Sequence, residues 1–185
     1  MANTEKNLER AKDKLDMVNQ WIANCDTKSS FLLAFYGVLL ALVFTSEVRS
    51  EISKTFALKS TFNNIGWTEK LNFISVICIV AFIGCSILCL YFIYNTLRAR
   101  IDDRIYRQPE LNADSKIFFN TISKKTFKVF KDDSNAEICD DYLNDLNSQV
   151  FINSKIATEK FKAYNWSLLF GFSGVILIGI YLLVI

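Results

Sequence analysis

Three stretches of the chain are apolar almost without a break, and the segments between them carry a pattern of their own. Between Thr4 and Lys28 the apolar positions Leu8, Ala11, Leu15, Val18, Ile22 and Cys25 step by 3, 4, 3, 4 and 3, the spacing of a coiled-coil seam on one face of a helix. Neither Pro nor Gly lies between Thr4 and Ser29, so this helix is expected to run on into the first apolar stretch. That stretch, Phe31 to Phe44, extends through small polar residues to Ser29 and Ser46; the second is Leu71 to Tyr94 and the third Trp166 to Ile185. Crossing a hydrocarbon layer of about 30 Å takes roughly 20 apolar residues in a helix. The second and third stretches meet that length, and the first is short but free of charge. The fold class expected is an all-α membrane protein with three transmembrane helices.

The segment between the second and third stretches holds the one proline, in YRQPEL at 106–111, which is expected to end a helical extension of the second stretch near Tyr106. In residues 113–133 the apolar Ile117, Phe118, Ile122, Phe127 and Phe130 suggest two short helices broken around Ser123, with Ser123 capping the second. The alternation from Thr126 to Phe130 also fits a short strand. From Ala136 to Tyr164 a long helix is expected. Its stripe of Tyr142, Leu146, Val150, Ala157, Phe161 and Tyr164 leads into the third apolar stretch. The long elements thus continue into membrane helices, a mechanical route from a ligand to the bilayer.

Charge sets the orientation. Residues 47–70 carry four Lys and Arg, whereas residues 97–165 carry twelve, led by Arg98, Arg100, Arg104 and Arg107. By the positive-inside bias the N-terminus and residues 97–165 are expected on the cytoplasmic side. The plan is then a cytoplasmic amphipathic helix (1–28), transmembrane helix 1 (29–46), an external loop (47–70), transmembrane helix 2 (71–95), a cytoplasmic helical sensor region built from helix extensions (96–165) and transmembrane helix 3 (166–185). A hydrophobic fraction of 51% beside 22% charged residues fits this uneven distribution. Cys25, Cys78, Cys85, Cys89 and Cys139 fall in membrane or cytoplasm, where disulfides are not expected.

The chain of 185 residues has no His, and it shows no GxSxG, HExxH or phosphate-cradling Gly loop, so an enzyme, a metal site and a cofactor are not expected. The adjacent acids Asp102/Asp103, Asp132/Asp133 and Asp140/Asp141 point to different faces of a helix and read as solvated charges. In RARIDDRIYR, Arg100, Arg104 and Arg107 share one helical face. Two readings stay open for them: contact with anionic lipid headgroups, or a phosphate pocket, because guanidinium groups bind phosphate oxygens in pairs.

Four pieces stand in order along the chain: CDTKSSFLL at 25–33, Pro109 with Leu111, SKIFFNTI at 115–122, and a patterned stretch from Asp145 to Phe161. Together they resemble the Pycsar effector family, small membrane effectors of bacterial antiphage systems that answer cyclic nucleotide signals. CDTKSSFLL resembles the family's entry to the first membrane helix. Pro109 and Leu111 resemble its P-x-L, and SKIFFNTI at 115–122 its S-x-x-FFG-x-I, with Asn120 where the family pattern has Gly. Asp145, Leu146, Gln149, Val150, Ser154, Ile156, Ala157, Lys160 and Phe161 resemble the helix before the last span. The order of these pieces runs from about residue 8 to 182.

The resemblance implies an inner-membrane effector that senses a cyclic nucleotide from a partner cyclase, forms homo-oligomers and impairs the bilayer, with no nucleic acid as partner. For such a ligand Arg100, Arg104 and Lys116 are the expected phosphate contacts, and Phe119 or Tyr142 the stacking surface. Asp26 and Lys28 fall where the first helix meets the bilayer and point apart. Lys28 is placed to snorkel to lipid phosphates, and Asp26 to pair with an Arg such as Arg98 or Arg104, as a structural latch. The alternatives are a ligand-independent membrane anchor whose heptad helix recruits a partner or a second copy, and a small channel.

Overall fold

The computed structural model describes residues 2–57, 67–100, 108–109, 111–112 and 114–184. Every regular element among them is helical: α1 (Ala2–Val43), α2 (Ser46–Ala57), α3 (Trp67–Leu97), α4 (Phe119–Ile122), α5 (Phe127–Asn135) and α6 (Cys139–Val184). Three helices are long and apolar enough to cross a membrane, with candidate spans inside Thr4–Val43, Phe73–Leu97 and Cys139–Leu183. The chain is an all-α membrane protein. It divides into two units: a first of Met1–Asp26 with Arg98–Phe161, and a second of Thr27–Leu97 with Lys162–Ile185. Helices α1 and α6 are unbroken across the residues where one unit ends and the other begins.

In the first unit the seam read from the sequence is the packed face of α1. Ala11, Val18 and Cys25 are buried, and Leu8, Leu15 and Ile22 are half-buried. Its partner is the chain's own α6. Lys12 Nζ lies 5.6 Å from the Tyr142 ring centroid, Asn153 Nδ2 donates to Asn19 Oδ1 at 2.9 Å, and Lys160 Nζ meets Asp26 Oδ1 at 2.6 Å. The numbers rise together along both helices, so the pair is parallel.

A loop is fastened to α6 beside this pair. The Asn112 N–H donates to Ser148 Oγ at 3.2 Å and the Lys116 N–H to Asp145 Oδ2 at 2.7 Å. Within the loop Ser115 Oγ accepts from the Ile117 and Phe118 N–H groups, and Thr121 Oγ1 donates to the Ser115 and Phe118 carbonyls. These bonds satisfy the Ile117 and Phe118 N–H groups and the Ser115 carbonyl, which lie outside any helix.

Three local expectations are corrected. Thr126, not Ser123, caps α5, its side chain accepting from the Val129 N–H at 3.4 Å; Ser123 instead closes the end of α4. The strand considered at Thr126–Phe130 is helical, because the cap lets the first turn start at Phe127. Helix α3 ends at Leu97, well before Pro109, and Arg98 to Arg100 lie beyond it. Apart from these corrections, the described residues between the first two apolar stretches form α2 and the start of α3.

The second unit packs α1, α3 and α6 residues into two apolar clusters. One holds Val43, Cys78, Ile79, Phe82, Ile178 and Tyr181, with Val48 and Ile52 of α2 against it. The other holds Tyr36, Cys89 and Ile93. Phe92, Trp166 and Phe170 stack with centroids 5.8–6.1 Å apart. Tyr36 is fully buried, its hydroxyl 3.2 Å from Ser86 Oγ. A side chain at Gly174 would place its Cβ 2.6 Å from that hydroxyl, so glycine is what allows α6 this close approach.

Candidate ligand-binding site

The first unit contains a cavity of about 370 Å³, within the range of roughly 300–1,000 Å³ common for small-molecule sites. Leu15, Asn19 and Ile22 of α1 form one wall at i, i+4 and i+7. Gln149, Asn153, Ile156 and Lys160 of α6 form another with the same period, and Ile117, Phe118, Phe119 and Arg100 complete the lining. The parallel pairing of α1 and α6 sets the two helical walls. The bonds from Lys116 to Asp145 and from Asn112 to Ser148 hold the aromatic edge against α6.

The polar groups are sorted along α6. Arg100 pairs with Glu159, and Lys160, 5% exposed, with Asp26, so both cations of the cavity are already matched by carboxylates. Eleven residues earlier, about 16 Å of helix rise, lies Gln149, with the Asn19–Asn153 amide pair between. Phe118 and Phe119 stand with ring centroids 4.8 Å apart and planes tilted by 55°, and Phe119 is 62% exposed. One region thus offers cations, carboxamides and an accessible aromatic face within an aliphatic lining. That set suits a ligand with an anionic end and a flat heteroaromatic end.

Of the residues expected from the sequence, Arg100 and Phe119 line this cavity together. Lys116 donates from Nζ to the Asp133 carbonyl at 3.2 Å and lies 3.6 Å from the Glu137 carboxylate. Tyr142 packs under Lys12. Neither is on the cavity wall. Arg104 falls outside the described residues. Asp26 is paired with Lys160, a partner the sequence reading did not name, and Lys28 is exposed.

The reading by sequence missed Asn19, Phe118, Gln149, Asn153 and Lys160 as cavity residues. The signal for the α6 group was present. Gln149, Asn153, Ile156 and Lys160 repeat at helical spacing beside the apolar stripe, but polar side chains at that spacing ordinarily mark the solvent face.

Outside the cavity, Lys125 ties α5 to the loop through Asp114 at 2.8 Å and Asp133 at 2.9 Å. Those carboxylates raise its pKa above the ordinary lysine value.

Comparison with known proteins bears on this arrangement. The family described as the Pycsar effector protein domain matches residues 10–185. The Pycsar effector protein GmPycTM of Gulbenkiania mobilis is 37% identical over 161 residues, covering 85% of this chain and 82% of that protein. No solved structure matches the chain.

Proposed function

The chain belongs to the Pycsar effector family, and from that premise we propose that it is an inner-membrane effector of antiphage defence, switched on by a cyclic nucleotide that a partner cyclase makes. In this reading the first unit is cytoplasmic, as its Lys and Arg content favours, and the ligand enters its cavity. The observation that carries the reading is the lining itself, which brings Arg100, Lys160, Phe118, Phe119 and Gln149 to one cavity.

The phosphate of the nucleotide meets Arg100 and Lys160, which Glu159 and Asp26 hold while no ligand is bound. Binding then trades an internal carboxylate for a phosphate at each cation. A ligand shifts an equilibrium only through such differential contacts. Asp26 belongs to α1 and Glu159 to α6, the two helices that continue unbroken into membrane-capable spans. Freeing these carboxylates changes the parallel pair, the spans rearrange or assemble with other copies, and bilayer integrity is lost.

The test is calorimetric titration of the detergent-purified chain with a panel of 3′,5′-cyclic mononucleotides, followed by dye release from liposomes containing the protein. One nucleotide should bind saturably and trigger release, and Arg100→Ala and Lys160→Met should each weaken binding tenfold or more, roughly the weight of one charge-assisted bond. A folded protein that binds none of the panel, and releases dye equally without them, would favour a ligand-independent anchor or channel.

A further inference from the structure

Buried polar side chains in folded proteins are almost always hydrogen-bonded, and each exception calls for an explanation. In the first unit Ser115, Thr121, Asp145, Ser148 and Lys160 are buried, and every one of them makes at least one such bond. Gln149 is 6% exposed and makes none to any described residue. Its carboxamide carries two N–H donors and an oxygen with two lone pairs, and it lies on the cavity wall.

A polar residue inside a helical seam can serve only to fix register. That role needs a polar partner across the seam. The pairs Asn19–Asn153 and Asp26–Lys160 share one offset in residue number, and the same offset places Leu15 opposite Gln149. Leucine offers the amide nothing. Asp145 Oδ1, the side-chain atom closed off without a partner among the described residues, is not on the cavity wall, whereas the Gln149 side chain lines the cavity. Gln149 therefore presents its carboxamide to the cavity, where water or a bound molecule supplies its partners.

Position says which part of that molecule. The cations Arg100 and Lys160 are gathered where α6 carries Glu159 and Lys160, and Gln149 lies about three helical turns away, opposite Leu15, in a cavity that Ile117 and Phe118 also line. An amide set among apolar neighbours is poorly suited to a phosphate and well suited to the in-plane donor and acceptor edge of a heterocycle, since it offers one of each side by side. We infer that Gln149 reads the hydrogen-bonding edge of the ligand's base and so sets base selectivity, while Arg100 and Lys160 set phosphate affinity. This rests on the cyclic-nucleotide reading of the cavity.

The experiment is titration of the full chain in detergent with the 3′,5′-cyclic mononucleotides of adenine, guanine, cytosine and uracil, for the parent protein, Gln149→Leu, Gln149→Glu and Lys160→Met. In Gln149→Leu the favoured nucleotide should lose roughly tenfold to a hundredfold in affinity while the others change little, so that the preference flattens. Gln149→Glu keeps the shape but replaces the donors by an acceptor, and should reorder the four. Lys160→Met should weaken all four by a common factor. Equal binding of all four by the parent, or a common factor for the folded Gln149→Leu, overturns the assignment and leaves the nucleotide site standing. Should Gln149→Leu not fold, the order measured with the isosteric Gln149→Glu decides, an unchanged order being the adverse result. Absence of binding by the folded parent overturns the cyclic-nucleotide reading itself, and this inference with it.

Discussion

The two units share two helices and one heptad step, yet they fill that step differently. In the first, the α1 seam is Leu, Ala, Val and Ile, and the facing α6 surface includes Gln149 and Lys160. In the second the same step continues through Ser29, Leu32, Tyr36, Leu39 and Val43, all buried or half-buried, against the glycines Gly171 and Gly174.

The media differ, and so must the glue. In water, apolar area on the seam drives helices together. Between helices in lipid that drive is absent, and close contact through small residues, with hydroxyl bonds, takes its place. Polar groups follow suit. Ser86, Thr96 and Ser167 of the second unit spend their hydroxyls on nearby carbonyls of their own helices. In the first unit Asp145, Ser148 and Lys160 reach other elements. Bonds that cross between elements are the ones a ligand can compete for.

The strongest way to break this contrast is Gly174→Leu. Its first carbon alone would meet the Tyr36 hydroxyl, and overpacking of this kind costs about 3 kcal/mol, so thermal unfolding in detergent should show a large loss. Gly171→Ala, which meets the end of a Cys89 side chain at 3.3 Å, should cost much less. A Gly174→Leu protein as stable as the parent would show that glycine is not what closes the second unit.

Next in size is Asp145→Ala. It removes the acceptor of the Lys116 N–H and should cost about 2 kcal/mol. Hydrogen exchange should rise along residues 114–122 while the amides of α3 stay protected. Protection lost equally in α3 would mean that the loop is not a separate attachment.

Tyr36→Phe removes the hydroxyl that faces Ser86. Bonds of this kind in membrane proteins average about 0.6 kcal/mol, so the thermal midpoint should barely move. Because Ser86 already donates to the Phe82 carbonyl at 2.7 Å, no buried donor is left stranded.

The smallest effect concerns Lys125, whose raised pKa comes from its bonds to Asp114 and Asp133. A cation with a raised folded-state pKa contributes fully below the unfolded value and loses that contribution as pH rises through the folded one. The parent and Lys125→Met should therefore differ slightly in stability at pH 8 and converge above about pH 10.5, which chemical denaturation at both pH values would measure. A gap that widened with pH would contradict this origin.

Much of the fold was legible because it is written in local periodicity. The apolar stretches mark the spans, the absence of Pro and Gly between Thr4 and Ser29 keeps α1 whole, and Leu8 to Cys25 are its packed face. The continuation of that face past Cys25 was not legible. Phe31 to Phe44 is apolar on every side, so nothing in it singled out Leu32, Tyr36 and Leu39 as the seam positions they are. The Thr126 cap was missed in favour of Ser123 because both residues are capable of capping, and the choice depends on where the turn after α4 closes. Of the cavity, Arg100 and Phe119 were readable as a cation and an aromatic in the segment after α3.

By itself the sequence determined an all-α membrane protein, its three apolar helices and which side of α1 is packed, since each follows from spacing along a single helix. Tertiary structure alone decided what stands across from that side. It placed α6 parallel to α1, gave Lys160 to Asp26, and set Gln149 on the wall of a cavity with no hydrogen-bond partner among the described residues. Those are pairings between residues more than a hundred positions apart, set by the register of two helices, and spacing within either helix carries no record of it.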